Sequence, residues 1–152
     1  MTRYFAYGAN MDLAAMKTRC PGARALGPAV LKDFCFFVGL DGWGSVAPCL
    51  GAAVHGVLWQ LTPRDLAALH AFELLHQGLY GVRHLRVRHE RRSLRAMIYL
   101  LRRGGRGRAR RGYIDAITAA ARAWQLPEAY IHNVERWTLA RSSSPHADVV
   151  GG

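Results

Sequence analysis

The sequence predicts an α+β fold whose sheet is curled or closed. Five or six apolar, strand-like runs are spread along the chain. Helical patterns fall among them at irregular places. The chain has 152 residues, 51% of them hydrophobic and 20% charged, which fits one domain with a real core. That composition is neither disordered nor fibrous.

The elements follow in order. The chain opens "TRYFAYGANM". Tyr4 to Tyr7 reads as an aromatic-rich strand, Gly8 and Ala9 as a short turn. Asn10 is placed to cap a helix over about Met11 to Thr18, which Cys20-Pro21-Gly22 stops. Ala25 to Leu31 and Phe34 to Leu40 read as two strands. Asp41 to Gly51 is glycine-rich with a proline, hence a loop. Val54 to Leu61 is another strand.

Thr62 then caps a helix with Pro63 at its first position and Asp65 in its first turn. Leu66, Leu69 and Phe72 follow, and Gln77-Gly78 breaks the helix. Val82 to His89 and Ala96 to Leu101 read as strands joined through Glu90 to Ser93. Arg102 to Arg111, "RRGGRGRARR", is a low-complexity basic loop. Tyr113, Ile117, Ala120 and Trp124 recur at the spacing of an amphipathic helix. Leu126-Pro127 begins a last helix with Tyr130, Val134 and Trp137 on one stripe. Residues 1–140 are expected to form a single domain and 141–152 a flexible tail.

Composition narrows the function classes. No apolar run approaches the length of a membrane span, and no secretory leader is read at the N-terminus. Cys20, Cys35 and Cys49 are odd in number and lack C-x-x-C spacing. A disulfide framework is therefore not expected, and a reducing cytoplasm is the default location. The formal charge is +11, and nearly all the basic residues are arginine. Charge alone speaks to solubility and non-specific association, so nucleic acid is not expected as a partner.

Two features carry chemistry. Glu73 stands seven residues after Leu66 and four after Leu69, on the helix's apolar face. A carboxylate there is expensive unless it is paired or hydrogen-bonded. It often has a raised pKa, which suits a general base near neutral pH. The bland alternative is a frayed helix end paired with an arginine. The second feature is the opening motif. The N–H groups of Gly8, Ala9 and Asn10 at a helix start could hold a carboxylate or a developing oxyanion. The same residues could equally be plain connection chemistry.

Together these features resemble a family. "YFAYGAN" is similar to the "YFAYGSN" signature of γ-glutamylcyclotransferase-like proteins. "VHGVLWQLTPRDLAALHAFELLHQGLYGVRHLRV" resembles that family's second block, a W-G-V-x-W-type strand, an L-D-x-x-E-G helix and G-x-Y. "YIDAITAAARAWQLPEAYIHNVERW" resembles the third, a Tyr-bearing helix leading into G-L-P-x-x-Y. The order and gaps agree from about Tyr4 to Trp137.

The resemblance implies a small mixed β-barrel with flanking helices. It implies an intramolecular reaction in which the α-amine of a γ-glutamyl group attacks its own γ-carbonyl, giving 5-oxoproline and a free amine. No metal or organic cofactor is implied, and the partner is a small γ-glutamyl compound. Glu73 matches the catalytic Glu. Tyr4, Phe5, Ala6, Tyr7, Gly8 and Ala9 match the substrate-binding loop, which Asn10 completes. Tyr80 and Tyr113 match tyrosines on the substrate side. The sequence departs from the family at Ala9 (usually Ser), His70 (usually Asp) and Leu74 (usually Gly).

His70, Glu73 and His76 do not present metal-ligand spacing. The Arg102–Arg111 loop resembles an RGG-type segment, reads more simply as a solvated loop, and could also border the pocket. The alternatives to an enzyme are a non-catalytic γ-glutamyl-binding module of the same fold and an RNA-associated basic protein. Helices rich in aromatics are compatible with a homodimer.

Overall fold

A computed structural model describes residues 1–76 and 78–138, without the side chains of 74–76. Gln77 of the expected helix break, the side chain of Leu74 and the expected tail 141–152 lie outside the described residues.

Five strands close into a barrel: β1 (Thr2–Ala6), β2 (Arg24–Val38), β3 (Gly44–Leu61), β4 (Tyr80–His89) and β5 (Arg92–Leu101). Around the barrel the order is β1-β3-β2-β4-β5. All pairings are antiparallel except β1 with β5, which run parallel and meet at Tyr4↔Met97. The expected small mixed barrel is therefore the observed architecture. A 3₁₀ turn (Ala9–Met11) and α1 (Leu13–Arg19) follow β1, α2 (Pro63–His76) links β3 to β4, and α3 (Tyr113–Ala123) follows β5. A last helix, α4, spans 128–138. Phe5, Leu58, Leu61, Ile98, Ile117 and Ile131 are wholly buried in one core. Among the described residues no helix is long and apolar enough to cross a membrane.

Three expectations are corrected. The runs Ala25–Leu31 and Phe34–Leu40 are one long strand, β2, with irregularities between Ala25 and Gly27 and between Lys32 and Phe34. A bulge absorbs one extra residue and bends the strand without ending it; Asp33, at the second, has φ 62. Next, most of the expected loop Asp41–Gly51 belongs to β3, and only residues 39–43 turn the hairpin. The glycine there serves close approach: a Cβ on Gly44 would lie 2.7 Å from the Phe36 ring and 2.8 Å from the Tyr113 hydroxyl. Pro48 flanks the second irregularity, where the hydrogen-bond ladder is already interrupted. Finally, Asp12, not Asn10, caps the first helix, accepting from Ala15 N–H at 2.9 Å. The Asn10 side chain is engaged elsewhere.

The start of α2 is as expected. Asp65 N–H donates to Thr62 Oγ1 at 3.1 Å and Leu66 N–H to the Thr62 carbonyl at 2.9 Å. In return the Asp65 carboxylate accepts from Thr62 N–H, from Thr62 Oγ1 at 2.7 Å and from Gly22 N–H at 3.1 Å. Burial pushes Asp65 up, but those donors outweigh it and hold the carboxyl below its ordinary value. Its contribution is thus present above the ordinary carboxylate range and is lost as pH falls through the depressed value. Asp65→Ala should lower stability by about 2–4 kcal/mol at neutral pH, since three donors lose a charged acceptor. Urea unfolding should show the gap narrowing in acid.

Candidate active site

One cavity of about 240 Å³ opens where β1, the turn after it, α2 and the start of β3 converge. Tyr4 enters it from β1, Tyr80 from β4 and Tyr99 from β5. Gly8, Ala9 and Asn10 form one rim, and Glu73 reaches in from α2. Five of the chain's six tyrosines line this space.

Helix phase explains Glu73. Asp65 and Leu69 are buried on one face of α2, and Glu73 continues that face one turn beyond Leu69. Burial raises its pKa to about 7, while the Arg19 guanidinium pulls the other way. A carboxylate held there exchanges its proton at neutral pH.

The turn leaves backbone donors free for other work. Its two hydrogen bonds run from Met11 N–H to Gly8 O (3.0 Å) and from Asp12 N–H to Ala9 O (3.2 Å). Neither uses the N–H of Gly8, Ala9 or Asn10. The Asn10 side chain donates to Tyr4 Oη at 3.0 Å and accepts from the Arg19 guanidinium. The Arg19 guanidinium carbon itself lies over the Phe72 ring, 3.9 Å from its centre.

Tyrosine hydroxyls fix the opposite wall. Tyr80 donates to Gly44 O at 2.6 Å, and Tyr113 accepts from Gly44 N–H at 2.9 Å. One glycine is thus held from both sides. Tyr7 donates to Tyr99 O at 2.6 Å, and the Tyr99 hydroxyl shares a 2.8 Å hydrogen bond with His70 Nδ1. His70, the departure on α2, therefore buttresses a cavity tyrosine. Burial pushes all five phenols above their ordinary value, so they remain proton donors at neutral pH.

Of the residues singled out from sequence, Tyr4, Tyr7, Gly8, Ala9, Asn10, Glu73, Tyr80 and Tyr113 meet in this cavity. Phe5 and Ala6 do not line it. Strand alternation turns Phe5 away from the face of Tyr4 and buries it completely. The Ala6 carbonyl lies against Gly56 of β3. Sequence reasoning missed Arg19, Trp43, Gly44, Phe72 and Tyr99.

The basic loop does not line the cavity; it packs behind the hairpin that does. Gly107 N–H donates to Val38 O at 2.9 Å, Arg110 N–H to Gly42 O at 3.2 Å and Arg110 Nε to Asp41 O at 2.9 Å. The Arg110 guanidinium stacks 4.6 Å from the Trp43 ring centre, and Trp43 meets Tyr113 edge-on at 5.3 Å. This loop is therefore a brace behind one cavity wall. A larger groove of about 990 Å³ lies between α4, the loop and the β2–β3 hairpin, and its described lining residues include no carboxylate. Among the described residues no cluster of His, Cys, Asp and Glu could hold a metal ion.

The sequence model of the AIG2-like family matches residues 53–134. Several solved structures share the fold. A γ-glutamyl cyclotransferase superposes with a TM-score of 0.80 at 23% identity, covering 88% of this chain and 86% of that one. An uncharacterized protein from Homo sapiens gives 0.79 at 24% identity, with 88% and 86% covered. A glutathione-specific γ-glutamyl cyclotransferase from yeast gives 0.64 at 9% identity, with 93% and 96% covered. At these identities the likeness is one of fold. No curated protein matches the sequence.

Proposed function

This chain belongs to the AIG2-like family, and from that premise we propose that it is a γ-glutamyl cyclotransferase. The observation that carries the reading is Glu73, a carboxylate whose pKa burial raises to about 7, in a cavity it shares with five tyrosines, Arg19, Trp43 and Phe72. Ionised Glu73 takes a proton from the substrate's α-ammonium. The freed amine attacks the γ-carbonyl carbon, a five-membered ring closes, and the carbonyl electrons move onto oxygen. As the tetrahedral centre collapses, Glu73 returns its proton to the departing nitrogen; the ring nitrogen, which carried two hydrogens into the new bond, gives one up through the same carboxylate, and the released amine leaves as an ammonium. One carboxylate serves both steps because they are sequential.

Nucleophile and electrophile belong to one molecule, so the chemistry calls for no cofactor. The cavity's other task is to hold the glutamyl chain bent. Ring closure is already unimolecular, so the gain lies in orientation: a chain held with its amine against its own γ-carbonyl spends no rotamer entropy on reaching the attack geometry. The amides of Gly8, Ala9 and Asn10 suit the glutamyl carboxylate. The same reaction would remove a γ-glutamyl mask from a biosynthetic product.

The test is 5-oxoproline release from a panel of γ-glutamyl compounds: glutathione, γ-glutamyl-amino acids, γ-glutamyl-lysine and γ-glutamyl-acylated aminoglycosides. The panel also names the leaving amine. A γ-glutamyl-binding module would retain these compounds unconsumed. For an active substrate, kcat/KM should fall in acid along a one-proton limb centred near 7, because protonated Glu73 cannot act as base. A rate flat from mildly acid to alkaline pH would exclude Glu73 as the base.

A further inference from the structure

The five cavity tyrosines differ in what their hydroxyl hydrogens are doing. Tyr7 and Tyr80 spend theirs on carbonyls of Tyr99 and Gly44, and Tyr99 shares a hydrogen bond with His70. Tyr113 and Tyr4 are bonded the other way: each accepts, Tyr113 from Gly44 N–H and Tyr4 from Asn10 Nδ2. A hydroxyl that accepts still has its own hydrogen to give. Those two phenols can donate into the cavity whichever ring nitrogen of His70 carries the hydrogen; Tyr99 can do so only when His70 Nδ1 is the donor of their shared bond.

For Tyr4 the polarity is forced from a distance. Asn10 carries an acceptor on one arm and a donor on the other, and the two could in principle exchange. Arg19 can only donate, so it binds Oδ1 and obliges the amide NH₂ to face Tyr4. Stacking on Phe72 holds the guanidinium in place. The order Arg19, Asn10, Tyr4 therefore has one consistent direction, and it ends with an O–H aimed away from Asn10. Tyr4 also shares the cavity with Glu73.

We propose that Tyr4 donates to the γ-carbonyl oxygen as it becomes an oxyanion, and that Arg19 and Asn10 are positioning residues that keep its hydrogen turned toward substrate. This rests on the cyclotransferase reading. In the step concerned the bond from the α-nitrogen to the γ-carbon forms and the C=O π pair moves to oxygen, where the Tyr4 O–H meets it. When the oxyanion collapses and the C–N bond breaks, the hydrogen bond relaxes and Tyr4 keeps its proton.

The experiment uses the full chain and whichever panel compound the wild type consumes fastest. Rates are taken at alkaline pH, where Glu73 is ionised in every variant. Tyr4→Phe should lower kcat about 100-fold with KM within about threefold, the pattern of a donor used in the transition state. Asn10→Asp is the diagnostic variant. Aspartate is nearly isosteric with Asn but only accepts, so Tyr4 would turn its hydrogen toward it. Its kcat should fall as far as that of Tyr4→Phe, and the double variant should fall little further. Asn10→Ala, which removes the bond but leaves the hydrogen free, should be the milder lesion. Arg19→Gln should lower kcat and Arg19→Lys should restore much of it.

A merely structural Asn10 would give the reverse order, with Ala worse than Asp, and that result would overturn the proposal. So would Tyr4→Phe within about threefold of wild type, or losses that multiply in the double variant. Glu73→Gln keeps the two failures apart. If wild type and Glu73→Gln behave alike, or neither releases 5-oxoproline, the cyclotransferase reading falls and takes the proposal with it. If Glu73→Gln is dead and Tyr4→Phe is not, the proposal alone falls.

Discussion

Glu73→Gln is expected to abolish 5-oxoproline release, by about 1,000-fold or more in kcat. In the proposed reaction one carboxylate both removes and returns the proton, so its loss takes general base and general acid together. Glutamine fills the same volume and keeps a polar end, so substrate should still bind and KM should change little. The same substitution should stabilise the fold at alkaline pH. Burial raises the pKa of Glu73 to about 7, which means that the folded state resists its ionisation. A raised carboxylate adds stability below its unfolded value and loses that contribution as pH rises through the folded one. The glutamine variant has no such loss. Its melting temperature should exceed that of wild type above about pH 8, by the equivalent of about 1–2 kcal/mol for a partly exposed group, and the gap should close in acid.

The largest expected effect on stability is at Gly56. A Cβ there would collide with the Ala6 carbonyl and lie 2.8 Å from Phe5 Cζ and 3.0 Å from Phe5 Cε1. Backbone cannot yield as a flexible side chain would, and Phe5 is completely buried. Gly56→Val should therefore push β1 off β3, at a cost of about 3–5 kcal/mol or more. For a domain of this size that means a fall of about 10 °C or more in melting temperature. Gly104→Ala is the control: a Cβ there meets nothing within 4 Å. Its melting temperature should stay within about 2 °C of wild type. Loss of activity should accompany Gly56→Val, because the displaced strand carries Tyr4.

Much of this was legible in the chain. Thr62-Pro63 and Asp65 mark the start of α2, and spacing from Leu69 places Glu73 on its buried face. Those signals are local. What stayed hidden depends on distant partners. Gly44 to Gly51 looks like a loop because a glycine and a proline mark turns far more often than close approaches; only the Phe36 and Tyr113 side chains show why Gly44 stands in a strand. The turn read over Glu90 to Ser93 is there, but it is confined to Glu90 and Arg91; that tightness gave no signal, since both residues adopt positive φ, 48° and 68°, where Asn and Gly are usual. Asn10 suited a helix cap until Arg19 and Tyr4 engaged both ends of its amide. Arg19, Trp43 and Tyr99 come from three different elements, and periodicity within one element cannot bring them together.

The parallel seam between β1 and β5 has a consequence for the life of the chain. The β2–β3 and β4–β5 hairpins can zip as they are made, but the seam of β1 waits for a strand whose paired residue, Met97, lies 93 positions downstream of Tyr4. Pairings of such high sequence separation are late and slow because the intervening chain must first be ordered. A ribosome must therefore complete nearly the whole barrel before Tyr4 and Tyr99 can face each other. A nascent or truncated chain ending before β5 would hold every residue of the opening motif without the Tyr99 wall of the cavity. Heating should trace the same path backwards, so that turnover is lost as the seam parts, before the β2–β3 hairpin melts.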